Sequence, residues 1–308
     1  MTETTARPEQ DARAALHDAD ATARARRAAL RRYLRHPAFM IGAVVLAMLV
    51  LVAILAPWIA PHPPLRTNMS MILVGPSSEY LLGTDQYGRC VLSRLIWGAR
   101  VSLQVGFFVV AISLVLGTLI GAMAGYIGGV IERAIVVVID IVLAFPGFLL
   151  ALALVAAQGS SLRSVIIAVS IAYIPRVATV MRSVVLTIRP RPFIEASHAI
   201  GMGHWRILTR HVIPNAMAPV IVVATVSAAT AILAEAGLSF LGLGVQPPTP
   251  TWGSVIGDGQ TVITTNPLIS IAAGLCIAMT VIALNLLGDG LRDNLDPQMR
   301  RQTGAKML

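Results

Sequence analysis

Charged residues are missing from long stretches of this 308-residue chain, and the gaps dictate what it can fold into. Residues 101–131 hold no Asp, Glu, Lys or Arg, and neither do residues 38–59 or 259–288. A helix of about 20 apolar residues matches the hydrocarbon thickness of a bilayer. Inside lipid an isolated segment satisfies its own backbone groups only as a helix. The gaps predict an all-α membrane protein with six transmembrane helices, over 38–59, 101–123, 134–157, 165–185, 216–243 and 267–287. The third is interrupted by Asp140 and by Pro146-Gly147, the fourth carries Pro175-Arg176, and the fifth carries Glu235. The first run is too long for the apolar part of a cleaved signal peptide, so it reads as an uncleaved signal-anchor.

Only 13% of the residues are charged, about half the share usual in soluble domains. The net charge of +9 would suit a nucleic-acid partner, but no nucleic-acid-binding motif or aromatic stacking surface accompanies it. Its distribution points to membrane topology. With the N-terminus inside, nineteen basic residues fall in inner segments and five (Arg66, Arg89, Arg94, Arg100 and Arg163) in outer ones. That bias predicts a multi-pass protein of a bacterial cytoplasmic (inner) membrane with both termini in the cytoplasm.

The chain divides into a polar N-terminal segment (1–37), a first span (38–60), an outer loop (61–98), a core of five spans (99–290) and a cytoplasmic tail (291–308). Paired arginines between residues 24 and 35 suit a basic amphipathic helix on anionic lipid. In the outer loop, Gly83 and Gly88 read as turns bracketing Asp85. Residues 91–97 read as a short interfacial helix, with Leu92, Leu95 and Ile96 on one face and Arg94 on the other. Gly117, Gly121 and Gly125 recur every fourth residue, a spacing that lets helices approach closely in lipid, and packing within the chain is the leading use. Charges within spans need partners or water. Asp140 is placed to pair with Arg176 or Arg182, and Glu235 sits in a glycine-loosened helix end.

Enzyme signatures are missing. No GxxxxGK[ST] loop occurs, and the sole lysine is Lys306. His198, His204 and His211 are spaced six and seven apart, which does not converge three ligands on one helical turn. Cys90 and Cys276 fall in a loop and a span, so no disulfide framework is expected. No metal and no cofactor is expected on this chain.

Between the fourth and fifth spans lies a polar, basic loop, residues 189–215, that reads as two short helices broken at Gly201 and Gly203. Its pattern is Glu195-Ala196-Ser197, then Gly201, then His211-Val212-Ile213-Pro214. This resembles the EAA loop of ABC importer permeases, although Ser197 and His211 depart from the usual residues. LGTD…GR.VLSRL..GARVSL (from residue 82), EAGLSFLGLGVQPPTPTWG (from residue 235) and the closing NLLGDGLRDNLDPQMRR are similar to the C-type permeases of the dipeptide/oligopeptide/nickel group, in which an acid commonly stands where this chain has Cys90.

The resemblance implies the type I ABC importer permease fold and a non-catalytic subunit forming half of a peptide translocation pathway. It implies a second homologous permease, two ATP-binding subunits that use ATP and Mg²⁺, and an extracytoplasmic substrate-binding protein. Glu195, Ala196, Ser197, Gly201, His211, Ile213 and Pro214 would couple to the ATPases. Gly242, Gly244, Pro247, Pro248 and Trp252 would shape the outer gate or meet the binding protein. Nickel chelates are the alternative cargo. A secondary transporter driven by an ion gradient is the rival from another class, but no inverted repeat is evident.

Overall fold

The computed structural model describes residues 36–295. The basic segment 24–35 and the tail beyond residue 295 lie outside those residues. Among the described residues the regular structure is helical, apart from a single isolated β-bridge between Thr84 and Cys90. The elements are α1 (Pro37–Ile59), a 3₁₀ turn (Met69–Met71), α2 (Val91–Ile127), α3 (Gly129–Leu143), α4 (Gly147–Gln158), α5 (Leu162–Ile188), α6 (Pro192–Ala199), α7 (His204–Ile207), a π turn (Leu208–Val212), α8 (Ile213–Phe240), α9 (Trp252–Gln260) and α10 (Leu268–Leu295).

Five helices are long and apolar enough to cross a membrane, or six spans if α3 and α4 count as one bent span. That pair meets at 86°. Pro146 cannot continue α3, because proline lacks the N–H that the preceding turn needs. At 15 and 12 residues, neither half reaches across a hydrocarbon core alone.

The stretch 91–97, expected as a separate interfacial helix, forms the first two turns of α2, a 37-residue rod. Nothing breaks it: Gly98 faces Thr251 and Trp252, where a Cβ would come within 3.2 Å of backbone. Arg94 does not face water. It is buried and ion-paired with Asp85 (2.7 Å) and Asp258 (2.8 Å).

The glycine spacing in α2 is used against α5. A Cβ at Gly117 would meet Val177 Cβ at 2.6 Å, and at Gly125 it would meet Arg182 O and Val185 Cβ at 2.9 Å. At Gly121 it would lie 2.2 Å from Ala178 O. The seam is therefore intramolecular, and it seats α5 along the length of α2. A second close approach joins α1 to α10, where a Cβ at Gly42 would sit 2.6 Å from Ala283 O.

Three apolar clusters result. One gathers α1, α2, α8, α9 and α10 around Trp252. A second joins α2, α4, α5 and α8 through Val109, Val155, Val169 and Leu238. The third ties the loop after α5 to the ends of α2 and α5.

Candidate functional site

Pro192 opens α6 in its first turn, where a missing N–H costs nothing. The helix ends after two turns at Gly201, whose φ is +75°. Met202 N donates to Ser197 O (3.1 Å) and Gly201 N to His198 O (2.9 Å). This is the glycine-terminated cap that satisfies the last carbonyls of a helix. The chain then re-enters the membrane through α7 and the π turn into α8, one continuous apolar rod from His204 to Phe240. Ile213 and Pro214 lie at the start of α8, and the Asn215 side chain donates to His211 O (2.6 Å). The extra residue per turn accommodates Pro214, whose ring would otherwise crowd the carbonyl four residues back.

Ile194 and Ser197 point inward. Ile194 joins Met181, Val185, Ile188, Ile207 and Val212 in one buried cluster, and the Ser197 hydroxyl donates to Phe193 O (2.7 Å). The small side chain at 197 thus lets α6 lie close on its own protein. The outward face of α6 carries Phe193, Glu195, Ala196 and Ile200, all exposed. Ile200 is 76% exposed and Trp205 65%, an unusual apolar display on a polar, basic loop. His211 is half-buried, and its Nε2 has no hydrogen-bond partner.

Tyr126, at the end of α2, gathers two of the loop histidines. Its hydroxyl lies 3.3 Å from His198 Nε2 and 3.2 Å from His204 Nδ1. The sequence spacing hid this pairing, because the third partner comes from another helix.

The intramembrane charges are arranged otherwise than expected. Arg182 pairs with Glu132, its Nε 2.9 Å from Oε1, and not with Asp140. Glu132 lies on the side of α3 that faces α5. Eight residues on, Asp140 is turned about 80° around the helix, exposed and without a partner among the described residues, as is Arg176 on α5. Glu235 is fully buried and accepts from Ser102 Oγ (3.0 Å) and Ser239 Oγ (2.8 Å).

At the other end, α8 terminates at Gly242, φ +77°, with Leu243 N donating to Leu238 O (2.9 Å). Gly244 lies so close to Ser239 that a Cβ would sit 2.4 Å from its Cα. Pro247 and Pro248 are exposed. Trp252 is not: it is 1% exposed, and its Nε1 donates to Leu95 O (3.0 Å). It anchors α9 to α2 from inside and offers nothing to a docked protein.

A further cluster escaped the sequence reading. Asp85, 1% exposed, accepts from Arg89 Nε and Arg94 Nη1, both at 2.7 Å, and both arginines reach Asp258 on α9. Two acids and two cations fasten the outer loop to α2 and α9. The Asp85–Arg89 spacing of four was the available signal. Cys90 stands at the N-cap of α2 and makes no side-chain cap bond; an acid there would supply one.

Residues 117–301 match the family described as the binding-protein-dependent transport system inner membrane component. This chain belongs to that family. Residues 26–76 match the N-terminal TM domain of oligopeptide transport permease C. The chain is 42% identical over 274 residues to the dipeptide transport system permease protein DppC of Alkalihalophilus pseudofirmus, covering 89% of this chain and 90% of the relative. It is 42% identical over 265 residues to the di/tripeptide transport system permease protein DppC of Pseudomonas aeruginosa, covering 84% and 88%. The glutathione transport system permease protein GsiD of Escherichia coli is 41% identical over 271 residues, covering 88% and 89%. Among solved structures, the MetNI methionine ABC transporter superposes with a TM-score of 0.55 at 19% identity, covering 66% of this chain and 96% of that one. The fold is that of a type I ABC importer permease, and the chain is a multi-pass permease of the peptide-importer group.

Proposed function

We propose that this permease carries dipeptides and oligopeptides across a bacterial cytoplasmic membrane by alternating access, with both termini in the cytoplasm. It forms half of the pathway beside a second, homologous permease, takes cargo from an extracytoplasmic binding protein, and is driven by two ATP-binding subunits that hold ATP and Mg²⁺. It performs no chemistry and binds no cofactor of its own. The cargo class is supported by relatives named for dipeptides, di/tripeptides and glutathione.

One observation carries the coupling role. Helix α6 is anchored by Ile194, which joins the buried cluster at the ends of α2 and α5, while Phe193, Ala196 and Ile200 remain uncovered. Burying each large apolar side chain on a partner would contribute about 1.5–3 kcal/mol. A push on that face would pass through the buried side of α6 into α5 and, through the π turn, into α8. Glu195 and Gly201 set the rim and the exit of the docking helix, and His211, Ile213 and Pro214 connect it to α8. At the far end, Gly242, Gly244, Pro247 and Pro248 form the outer contact.

The test is Ala196→Trp in the reconstituted transporter, a bulky residue on the exposed face that leaves the buried side untouched. Overpacking of about 1.4 kcal/mol or more at the contact lowers ATP-driven peptide uptake at least about tenfold, with the permease still inserted at its normal level. Uptake equal to wild type refutes docking through this face.

A further inference from the structure

A pocket of about 570 Å³ opens where α2 and α5 end against the loop. Arg189, His198, His204 and Trp205 line its polar side, and Met123 and Ile127 its apolar side. Three features stand out. No Asp or Glu lines it. Among the described residues Arg189 is exposed and makes no ion pair or hydrogen bond; the acid beside it on α3, Glu132, pairs through Oε1 with Arg182, its Oε2 lying near Gly128 together with Arg189 Nη1. Tyr126 occupies one nitrogen on each imidazole, leaving His198 Nδ1 and His204 Nε2 without a hydrogen-bond partner among the described residues.

The two rings stand 5.3 Å apart. One hydroxyl can donate to one ring while accepting from the other. At least one imidazole therefore keeps an N–H free for the pocket. The guanidinium supplies two further donors in a fixed fork suited to phosphate oxygens.

The apolar half belongs to the membrane. Met123 and Ile127 occupy the last turn of a spanning helix and are exposed. Trp205 is an aromatic of the kind that settles at the headgroup level. A soluble phosphate would leave this half of the pocket unused, whereas a lipid would fill both halves.

We propose that the pocket binds an anionic phospholipid. Its phosphate sits between Arg189 and the two histidines, and the upper part of an acyl chain lies along Met123 and Ile127. The lipid thereby braces the loop against the end of α2. The inference rests on the proposed function only for which leaflet is involved.

The test uses the complete transporter, reconstituted in phosphatidylcholine with a trace of phosphatidylglycerol carrying a photoactivatable diazirine high on one acyl chain. No nucleotide is present, so labelling does not depend on coupling, and ATP-driven uptake is assayed separately. Peptide mass spectrometry reads label on the segment 121–131. Wild type is labelled by the phosphatidylglycerol probe about fivefold more than by the matched phosphatidylcholine probe. Arg189→Gln loses that preference and Arg189→Lys keeps it. Among the described residues Arg189 makes no ion pair and no hydrogen bond, so an unchanged unfolding temperature is expected and confirms that the variant is folded. Equal labelling by both probes, or an unchanged preference in folded Arg189→Gln, overturns the proposal. Displacement of the label by millimolar inorganic phosphate also overturns it, in favour of a soluble anion.

Discussion

Alanine at Gly121 probes the seam between α2 and α5 directly. The added methyl would lie 2.2 Å from Ala178 O and 2.8 Å from Met181 Cβ. A carbon–oxygen contact of this kind relaxes at about 3.3 Å, so the helices must part locally by about 1 Å. The obstructing atom is backbone, which no rotamer change can move. Helix propensity pulls the other way, since alanine is better than glycine by about 1 kcal/mol in a helix interior. Forcing a methyl into a filled contact costs about 1–3 kcal/mol, and parting the helices also weakens the neighbouring contacts at Gly117 and Gly125. The net expectation is a loss of about 1–2 kcal/mol. Gly274→Ala in α10 is the internal control, because nothing lies within 4 Å of its added Cβ; there only the propensity gain remains. Thermal unfolding of the detergent-extracted transporter, followed by loss of monodisperse protein, should rank Gly274→Ala at or above wild type and Gly121→Ala below it. If Gly121→Ala is as stable as Gly274→Ala, the seam does not hold the bundle as described.

The other predictions concern the buried and exposed charges. Asp85→Ala leaves Arg94 buried with only Asp258 for company; breaking such a pair costs about 3 kcal/mol, and the outer loop between residues 61 and 90 should become cleavable by added protease. Glu235→Gln keeps a carbonyl oxygen to accept from one of the two serines and offers an N–H to the hydroxyl oxygen of the other, so it should hold its unfolding temperature. Glu235→Leu strands those hydroxyls in the core and should lose about 1–3 kcal/mol in the same assay. Asp140→Asn should leave the extracted chain's stability unchanged, because Asp140 has no partner among the described residues; a clear loss would show a pairing absent from them.

Most helices were legible because the bilayer imposes one simple requirement, length without charge, and the chain marks its exits plainly. Gly201 and Gly242 were read as breaks and do end α6 and α8 with positive φ. The four-residue glycine spacing was equally plain, since few other reasons exist to put Gly117, Gly121 and Gly125 on one stripe. What stayed hidden depends on which face of a helix turns toward which neighbour. Arg182 has two acids within reach on α3, and only the rotation of that helix selects Glu132 over Asp140. Arg89 reaches Asp258 across 169 residues of sequence, a separation no local pattern spans. The loop 189–215 stood out by its pattern, yet Ser197 proved to face inward, because an eight-residue helix shows no periodicity strong enough to tell its two sides apart.

Asp140 and Arg176 take on meaning through their exposure. A charge on a spanning helix cannot rest against hydrocarbon, and neither residue is paired among the described residues. Around Asp140, the residues Val137, Val138, Ile141, Leu143 and Phe145 are exposed as well, and α3 buries only Ile139. A face that is apolar but carries an acid suits neither water nor lipid. It suits another protein surface that supplies a cation or opens onto a wet path, and it lies on the bent pair α3–α4 rather than on the tightly seamed α2–α5. The chain is thus firm where the loop is anchored and incomplete where the bent pair is exposed. The incomplete side is the one on which the second permease proposed above would sit.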